Sequence, residues 1–408
     1  MLAVLDSPVL QRKAAETYAA VMHPGRDAAA LALRRPLSAR IRVGYFSADF
    51  HNHPVAYLSA ELFELHDRAR FEVFGFSLGP PVADAMRVRL ASAFDHFLDV
   101  RQVDDQGIAR RSRELGIDIA IDLGGYTENS RTGIFARRAA PIQASYLGYL
   151  GTMGAAYYDY LFADQVIIPQ ADCPHYSERI VRLPSYQVND SRRRISDIRP
   201  SRGDEALPER AFVFCCFNSS YKIAPDVFDC WMRILSGCEG SVLWLFSGDA
   251  LVSANLGREA ASRGVDPGRL VFAPRRDHAD YLARYRLADL FLDTLPYNAG
   301  TTASDALWAG LPVLTRCGQT FAGRMAASLL HAAGLPELVT DSADQYVELA
   351  LALAGDSGRL SALRARLATN RDTCLLFDSR RFTKALETAF LTMQQRHEAG
   401  LAPESFDV

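Results

Sequence analysis

Residues 290–314, "LFLDTLPYNAGTTASDALWAGLPVL", decide the fold. The apolar run 290–292 closes on Asp293, a turn bearing Pro296, Asn298 and Gly300 follows, and Thr301 and Thr302 open a second stretch with helical spacing. Strand, turn, helix and strand in succession is the unit from which parallel α/β sheets are built. The start of such a helix leaves backbone N–H groups unpaired, and the helix dipole and the two hydroxyls add to their attraction for an anion. Gly300 permits a positive φ or the close approach of a ligand. The plainer alternative is that Thr302 caps the helix with its own side chain.

The same alternation extends in both directions. Upstream lie strand 212–217 ("FVFCCF"), helix 225–236, strand "SVLWLF", helix 251–263, strand "RLVFA" and helix 278–286; downstream lies helix 321–333. A separate series begins at "IRVGYFSADF" (41–50), continues through the amphipathic "PVAYLSAELFELH", strand "FEVFGFS" and helices 83–94 and 105–115, and ends at "DIAIDLGG". Over 140–200 the pattern pauses in glycine, aromatic and charged residues. The reading is α/β: two Rossmann-like, doubly wound domains over 39–195 and 206–377, preceded by a helical lead-in over 1–38. A last helix within 378–408 presents Phe382, Leu386, Phe390 and Met393 on one face and must pack back on the body. Doubly wound domains bind ligands beyond the carboxyl ends of their strands, so the pair is expected to face a common cleft.

Composition narrows the function. The 408 residues, 49% hydrophobic and 23% charged, are enough for two cores. A net charge of -3 gives no pull toward nucleic acid or an anionic membrane, and neither is expected as a partner. Seven cysteines without a CxxC pair read as buried thiols of a reducing compartment, and nothing approaches 18 consecutive apolar residues, so a soluble cytoplasmic protein is expected.

Three rim loops of the second domain carry chemistry. "CCFNSSYKIAPDV" places Asn218, Tyr221 and Lys222 after its first strand, where the lysine can neutralise a phosphate. "FAPRRDHADY" brings Pro274, Arg275, His278 and Tyr281 after its third. Thr301, Thr302 and Asp305 follow its fourth, and Asp305 is placed to accept a ribose hydroxyl or merely to favour the helix dipole. Together they suggest a nucleotide diphosphate. In the first domain "SADFHNHPVAY" offers Asp49, His51 and His53 as a general base or polar clamp. No HExxH motif or cysteine cluster accompanies them, so no metal is expected. No GxGxxG follows a strand, which argues against a dinucleotide.

In "RIRVGYFSADFHNHPVAYL", "GYTENSRTGIFARRAAPIQASYLGYLGTMGA", "FNSSYKI", "RLADLFLDTLPYNAGTTASDALWAGLPVLT" and "FAGRMAASLL", spanning about 40–335, the chain resembles the catalytic region of the protein O-linked N-acetylglucosaminyltransferases, glycosyltransferase family 41, with its Spindly-like and bacterial members. The resemblance implies a GT-B fold and inverting transfer of a sugar from a nucleotide diphosphate, most plausibly UDP-N-acetylglucosamine, to a protein or peptide hydroxyl, with no cofactor and no obligatory metal. It gives Lys222 the departing diphosphate as its charge, makes Thr301 and Thr302 the diphosphate's holders and Asp305 the ribose's. It sets His53, Thr127, Leu147 and Gly148 at the sugar. It would make the lead-in a remnant of tetratricopeptide repeats. The chain departs from the family at Gly300, Tyr281 and Leu150, where many members have histidine, histidine and proline. A protein O-fucosyltransferase using GDP-fucose and a catalytically silent nucleotide-sugar-binding protein are the competing readings; a sugar-nucleotide epimerase is disfavoured by the "GYT…APIQ…LGY" series.

Overall fold

The computed structural model describes residues 1–25 and 40–408; the part of the expected lead-in over 26–39 lies outside the described residues. The chain forms two units, one of Ser7–Ser191 with Asp378–Val408, the other of Met1–Asp6 with Arg192–Phe377.

The first unit contains the helix Pro8–Met22 and the strands β1 (Ile41–Ser47), β2 (Phe71–Ser77), β3 (His96–Asp99), β4 (Ile119–Asp122), β5 (Ile142–Ser145), β6 (Tyr160–Ala163) and β7 (Arg179–Arg182). They pair in parallel in the order β3-β2-β1-β4-β5-β6-β7. Both faces of such a sheet are covered, which is why its inner strands read as nearly unbroken apolar runs. Phe46 of β1 and Phe76 of β2 are fully buried, and their rings stack at 4.2 Å. The strand order reverses between β1 and β4, where Phe46 pairs with Asp122.

Strands β5 to β7 occupy the interval in which the sequence pattern pauses. Each has four residues, and a 3₁₀ segment, Gln170–His175, stands where a crossover helix would be expected. These strands lie among glycines, aromatics and charged residues and lack the flanking amphipathic helices that mark the other strands. Strand β3, at the sheet edge with both ends exposed, also escaped the sequence reading.

The second unit repeats the topology with β8 (Val213–Cys216), β9 (Val242–Phe246), β10 (Leu270–Ala273), β11 (Leu290–Leu292), β12 (Val313–Arg316) and β13 (Val339–Thr340), parallel in the order β10-β9-β8-β11-β12-β13. Its helices Pro225–Gly237, Ala250–Ser262, His278–Arg284, Thr301–Trp308 and Phe321–Ala332 lie close to the expected bounds, and two more, Ala343–Gly355 and Ser357–Asn370, follow β13. Cys215 and Cys216, the last two residues of β8, are buried, and burial pushes both thiols up. All seven cysteines are free; Cys230 is also buried, while Cys173, Cys238, Cys317 and Cys374 are only half-buried, against the expectation for the whole set.

The last helix, Ser379–Glu398, belongs to the first unit. Phe382, Leu386, Phe390 and Met393 are all buried, and the Phe390 ring meets Phe71 and Phe162 at 6.2 Å each. From the same helix Glu387 accepts from the Asp67 N–H at 2.8 Å and contacts His66 Nδ1 at 2.9 Å, while His66 Nε2 meets the Tyr45 hydroxyl at 2.8 Å. Glu61, on the helix Pro54–Leu65, accepts through Oε2 from the Ser191 N–H, the Ser191 hydroxyl and the Ser379 hydroxyl at 2.7, 2.8 and 2.7 Å. One carboxylate thus holds the residues at which the chain leaves the first unit and re-enters it. Beyond the helix, β14 (Phe406–Asp407) pairs in parallel with β7, a strand the sequence did not announce. Among the described residues no helix is long and apolar enough to cross a membrane.

This packing makes the last 31 residues part of the first unit's core despite their distance in sequence. Phe390→Ala is expected to cost about 3–5 kcal/mol, and truncation after Phe377 to lose the first unit's cooperative unfolding transition while sparing the second's. Calorimetric unfolding of the two variants checks both.

Candidate active site

In a doubly wound sheet the loops on either side of the strand-order reversal leave a crevice at the carboxyl ends of the strands. In the second unit the reversal lies between β8 and β11, where Cys215 pairs with Phe291. The loops that diverge there are Phe217–Lys222 and Asp293–Gly300, two of the three singled out from sequence.

Asp293, one residue past β11, is 2% exposed and collects hydrogen bonds from all around it. Its Oδ1 accepts from the Thr294 N–H (2.7 Å), the Ala299 N–H (2.7 Å) and Asn218 Nδ2 (3.3 Å); its Oδ2 accepts from the Thr315 hydroxyl at 2.7 Å. Burial pushes its carboxyl up, held back by these donors and by Lys222. Asn218 also donates to Thr294 Oγ1 at 2.8 Å and accepts from the Thr302 hydroxyl, so its side chain braces the turn.

The Thr302 bond answers the question about the helix start. Gly300 is the N-cap of Thr301–Trp308, and no side chain caps it: the Thr302 hydroxyl is turned to Asn218 instead. The first-turn amides therefore keep their attraction for an anion. Gly300 has φ -101°, so a left-handed backbone is not what selects glycine there.

Lys222 closes a 3₁₀ turn, Ser220–Lys222, and is half-buried. Its Nζ donates to the Asn298 carbonyl at 3.1 Å and lies 3.9 Å from the centre of the Tyr297 ring. Burial lowers its affinity for the proton, and the negative charge of Asp293 partly restores it. Tyr221 is 64% exposed, with its ring edge-on to Tyr297.

The loop after β10 joins the site in part. His278 Nε2 lies 3.7 Å from Asp305 Oδ2, and the His278 ring stacks on Tyr281. Tyr281 shares a hydroxyl contact with Tyr285, whose hydroxyl donates to the Thr302 carbonyl at 3.2 Å. Pro274 and Arg275 are exposed, and the Pro274 carbonyl is taken by Arg284 at 2.6 Å. Asp305 has a partner that no local pattern signals: its Oδ1 accepts from Arg193 Nη1 at 2.7 Å, with both side chains buried. The Arg193 guanidinium also lies over the Trp308 ring at 5.3 Å.

The first unit offers an analogous end, at the reversal between β1 and β4. His53 caps the helix Pro54–Leu65, its Nδ1 accepting from the Val55 N–H at 3.3 Å. A neutral imidazole whose Nδ1 accepts must carry its hydrogen on Nε2. Burial, with His51 adding to it, lowers His53 to about 4. That arrangement makes His53 a donor and a poor base. Asp49, 3.6 Å from His53 Nδ1, is raised to about 6 by burial, with His51 opposing and Glu128 adding to the rise.

At the end of β4, Asp122 accepts from the Gly124 and Gly125 N–H groups at 2.9 and 3.0 Å and from the Tyr158 hydroxyl, and Thr127 donates to the Gly124 carbonyl at 2.8 Å. Leu147 has φ +74° with Gly148 N–H bonded to the Tyr146 carbonyl at 3.0 Å, a γ-turn with a left-handed centre. The Leu147 N–H makes no hydrogen bond to a described residue. A Cβ at Gly148 would lie 2.1 Å from the Leu123 carbonyl oxygen, so only glycine fits the turn against its neighbour. Among the described residues, no group of three or more His, Cys, Asp or Glu is placed to hold a metal ion.

Comparison with known proteins places this arrangement. The chain is 39% identical over 376 residues to the Arabidopsis thaliana protein named "Probable UDP-N-acetylglucosamine--peptide N-acetylglucosaminyltransferase SEC", covering 90% of this chain and 38% of that one. It is 28% identical to the Caenorhabditis elegans UDP-N-acetylglucosamine--peptide N-acetylglucosaminyltransferase, covering 89% and 41%. The chain thus spans about two fifths of the length of these curated relatives. An O-GlcNAc transferase mutant from Thermobaculum terrenum superposes with a TM-score of 0.87 at 33% identity, covering 97% of this chain and 75% of that one. Anabaena Alr3699/HepE, at 12% identity and a TM-score of 0.58 over 86% of this chain and all of its own, shares the fold, which is α/β of the GT-B type. The model of the family described as "Glycosyl transferase family 41" matches residues 29–201 and 193–386, and the chain belongs to that family.

Proposed function

We propose that this chain is the catalytic body of an inverting protein glycosyltransferase, moving N-acetylglucosamine from UDP-N-acetylglucosamine to Ser or Thr hydroxyls of a protein acceptor without an obligatory metal. The observation that carries this reading is at the reversal point of the second unit: the Lys222 ammonium and the uncapped first turn of Thr301–Trp308 stand on loops leaving adjacent strands. Family membership and the names of the relatives support the choice of donor and acceptor.

In the reaction the acceptor hydroxyl attacks the sugar C1 opposite the diphosphate, the bond from C1 to the β-phosphate oxygen breaks with its electron pair going to that oxygen, and the hydroxyl proton passes to an oxygen of the departing diphosphate. Lys222 and the Thr301 and Thr302 amides would stand where that charge develops, the position at which electrostatic stabilisation accelerates most. Thr127, the Leu147 N–H and the close-packed Gly148 would line the sugar, and His53 would donate through Nε2 to a sugar oxygen. His278 and Asp305, already adjacent, would take the ribose, while Tyr281 steadies His278 from below.

Three outcomes follow. UDP-N-acetylglucosamine and UDP should each raise the thermal midpoint of the wild type more than GDP-fucose does, and Lys222→Ala should lower kcat by about 10²–10³; mass spectrometry of a glycosylated host lysate reads the transfer, and an unchanged rate in Lys222→Ala rejects the assignment. The pH profile of kcat should lack a limb near the ordinary histidine value of about 6.5, since His53 stays neutral far below it, and should show a basic limb beginning below the ordinary lysine value of about 10.4 as Lys222 loses its proton. Gly148→Ala should raise the donor KM and cost about 2 kcal/mol of stability, with the basic limb unmoved, as steady-state kinetics and calorimetry will show.

A further inference from the structure

We propose that Tyr297 is a positioning residue for the transfer: the face of its ring, together with the Asn298 carbonyl, holds the Lys222 ammonium in register with the diphosphate seat without cancelling its charge. The inference rests on the function proposed above and concerns a residue to which sequence reasoning gave no role.

The contacts of Lys222 carry it. Its Nζ lies over the Tyr297 ring, 3.9 Å from the ring centre, and donates to the Asn298 carbonyl at 3.1 Å. An ammonium group has three N–H donors. The carbonyl takes one and the ring face meets another side of the group, which leaves donor capacity for a phosphate oxygen. Among the described residues no carboxylate forms an ion pair with this ammonium. A carboxylate at contact distance would fix the group equally well, but it would offset much of the positive charge that has to meet the diphosphate. A ring attracts a cation through its quadrupole and a carbonyl through its dipole, and neither carries a net charge. The two holders therefore orient the lysine and leave it a full cation.

Register comes from the turn that supplies both holders. Tyr297 and Asn298 are consecutive residues of the Asp293–Gly300 turn, which runs directly into the helix Thr301–Trp308. The Tyr297 carbonyl accepts from the Thr294 hydroxyl at 2.6 Å, Asn298 Nδ2 donates to the Thr294 carbonyl at 2.6 Å, and the Asn298 N–H donates to the Ala322 carbonyl at 3.0 Å. Ring and helix start are thus parts of one braced segment, and a lysine held against the ring has a fixed place relative to the first-turn amides. Tyr221, next to Lys222 in sequence, meets the Tyr297 ring edge-on with centroids 6.2 Å apart, so the lysine's own loop steadies the ring. A lysine side chain is flexible and its ammonium strongly hydrated. Without the ring it would spread over several rotamers, and more water would have to leave it each time a donor arrived.

Unnatural amino acids separate the electrostatics of the ring from its shape. With Tyr297→Phe as the reference, which absorbs any effect of the hydroxyl, phenylalanines bearing one, two and three ring fluorines at position 297 weaken the attraction for a cation stepwise and nearly keep the volume. The kcat is expected to fall with each fluorine, by about tenfold over the series, with the thermal midpoint unmoved. A kcat that does not follow the fluorine number overturns the proposal. The chain has only three lysines, Lys13, Lys222 and Lys384, so ¹³C-lysine labelling gives three ε-methylene signals, and loss of one in Lys222→Arg assigns it. The Lys222 ε-protons are expected upfield of the other two, shielded by the Tyr297 ring, and should lose that shift in Tyr297→Leu. Should the variants fail to fold, the wild type decides: a Lys222 signal level with those of the exposed Lys13 and Lys384 overturns the proposal. A wild type that has the shielded lysine but neither binds UDP nor transfers sugar from UDP-N-acetylglucosamine overturns instead the donor reading on which the role depends.

Discussion

A carboxylate removed from water must be given its hydrogen bonds by the protein, and the second unit is arranged to give them to Asp293. Four donors on three chain segments converge on its two oxygens. Because those donors are rigid backbone amides and short side chains, satisfying the carboxylate leaves the Asp293–Gly300 turn little freedom. The path of that turn determines where the helix Thr301–Trp308 begins and which carbonyl, that of Asn298, meets Lys222. The candidate site is thus the outer surface of a solution to a burial problem.

Buried carboxylates recur as organisers throughout the chain. Glu61 gathers Ser191 and Ser379, Glu387 holds the His66 end of a polar chain that runs to Tyr45, and Asp122 shapes the glycine turn after β4. In each case the carboxylate joins segments distant in sequence, and the energy at stake if one partner is lost is that of an orphaned buried charge, roughly 3–5 kcal/mol. Such joints make cooperative units out of loops that have few apolar side chains of their own. The glycine-rich turns of both units depend on them, since glycine contributes no packing and loses the most backbone freedom on folding.

The departures from the family pattern look different once packed. Leu150 is 7% exposed and contributes to the core two residues past the Leu147–Gly148 turn. Tyr281 stacks on His278 and reaches Thr302 through Tyr285, so the loop after β10 stays tied to the start of the helix Thr301–Trp308 without a histidine at that position. Gly300 leaves the helix start without any capping side chain, which keeps its amides available. None of the three removes a group on which the proposed transfer relies.

Much was legible from the sequence because the physics behind it is local. Apolar runs alternating with amphipathic stretches announced two parallel α/β units, and strand-to-helix turns after 216 and 292 pointed to Lys222, Thr301 and Thr302, since a doubly wound topology brings those turns together wherever its strands lie. Strands β5 to β7 were not legible, because no amphipathic helices alternate with them, and β3 was not, because an edge strand exposed at both ends carries no apolar run. Nor were the roles of Asn218, Thr302 and Asp305 as braces, or the existence of the Arg193 and Asp293 partnerships, for these join residues up to 112 positions apart. Periodicity and turn chemistry are properties of neighbours along the chain; which side chain the Thr302 hydroxyl turns to and which carboxylate pairs with Arg193 is decided only when burial removes water and each polar group must find its partner in space.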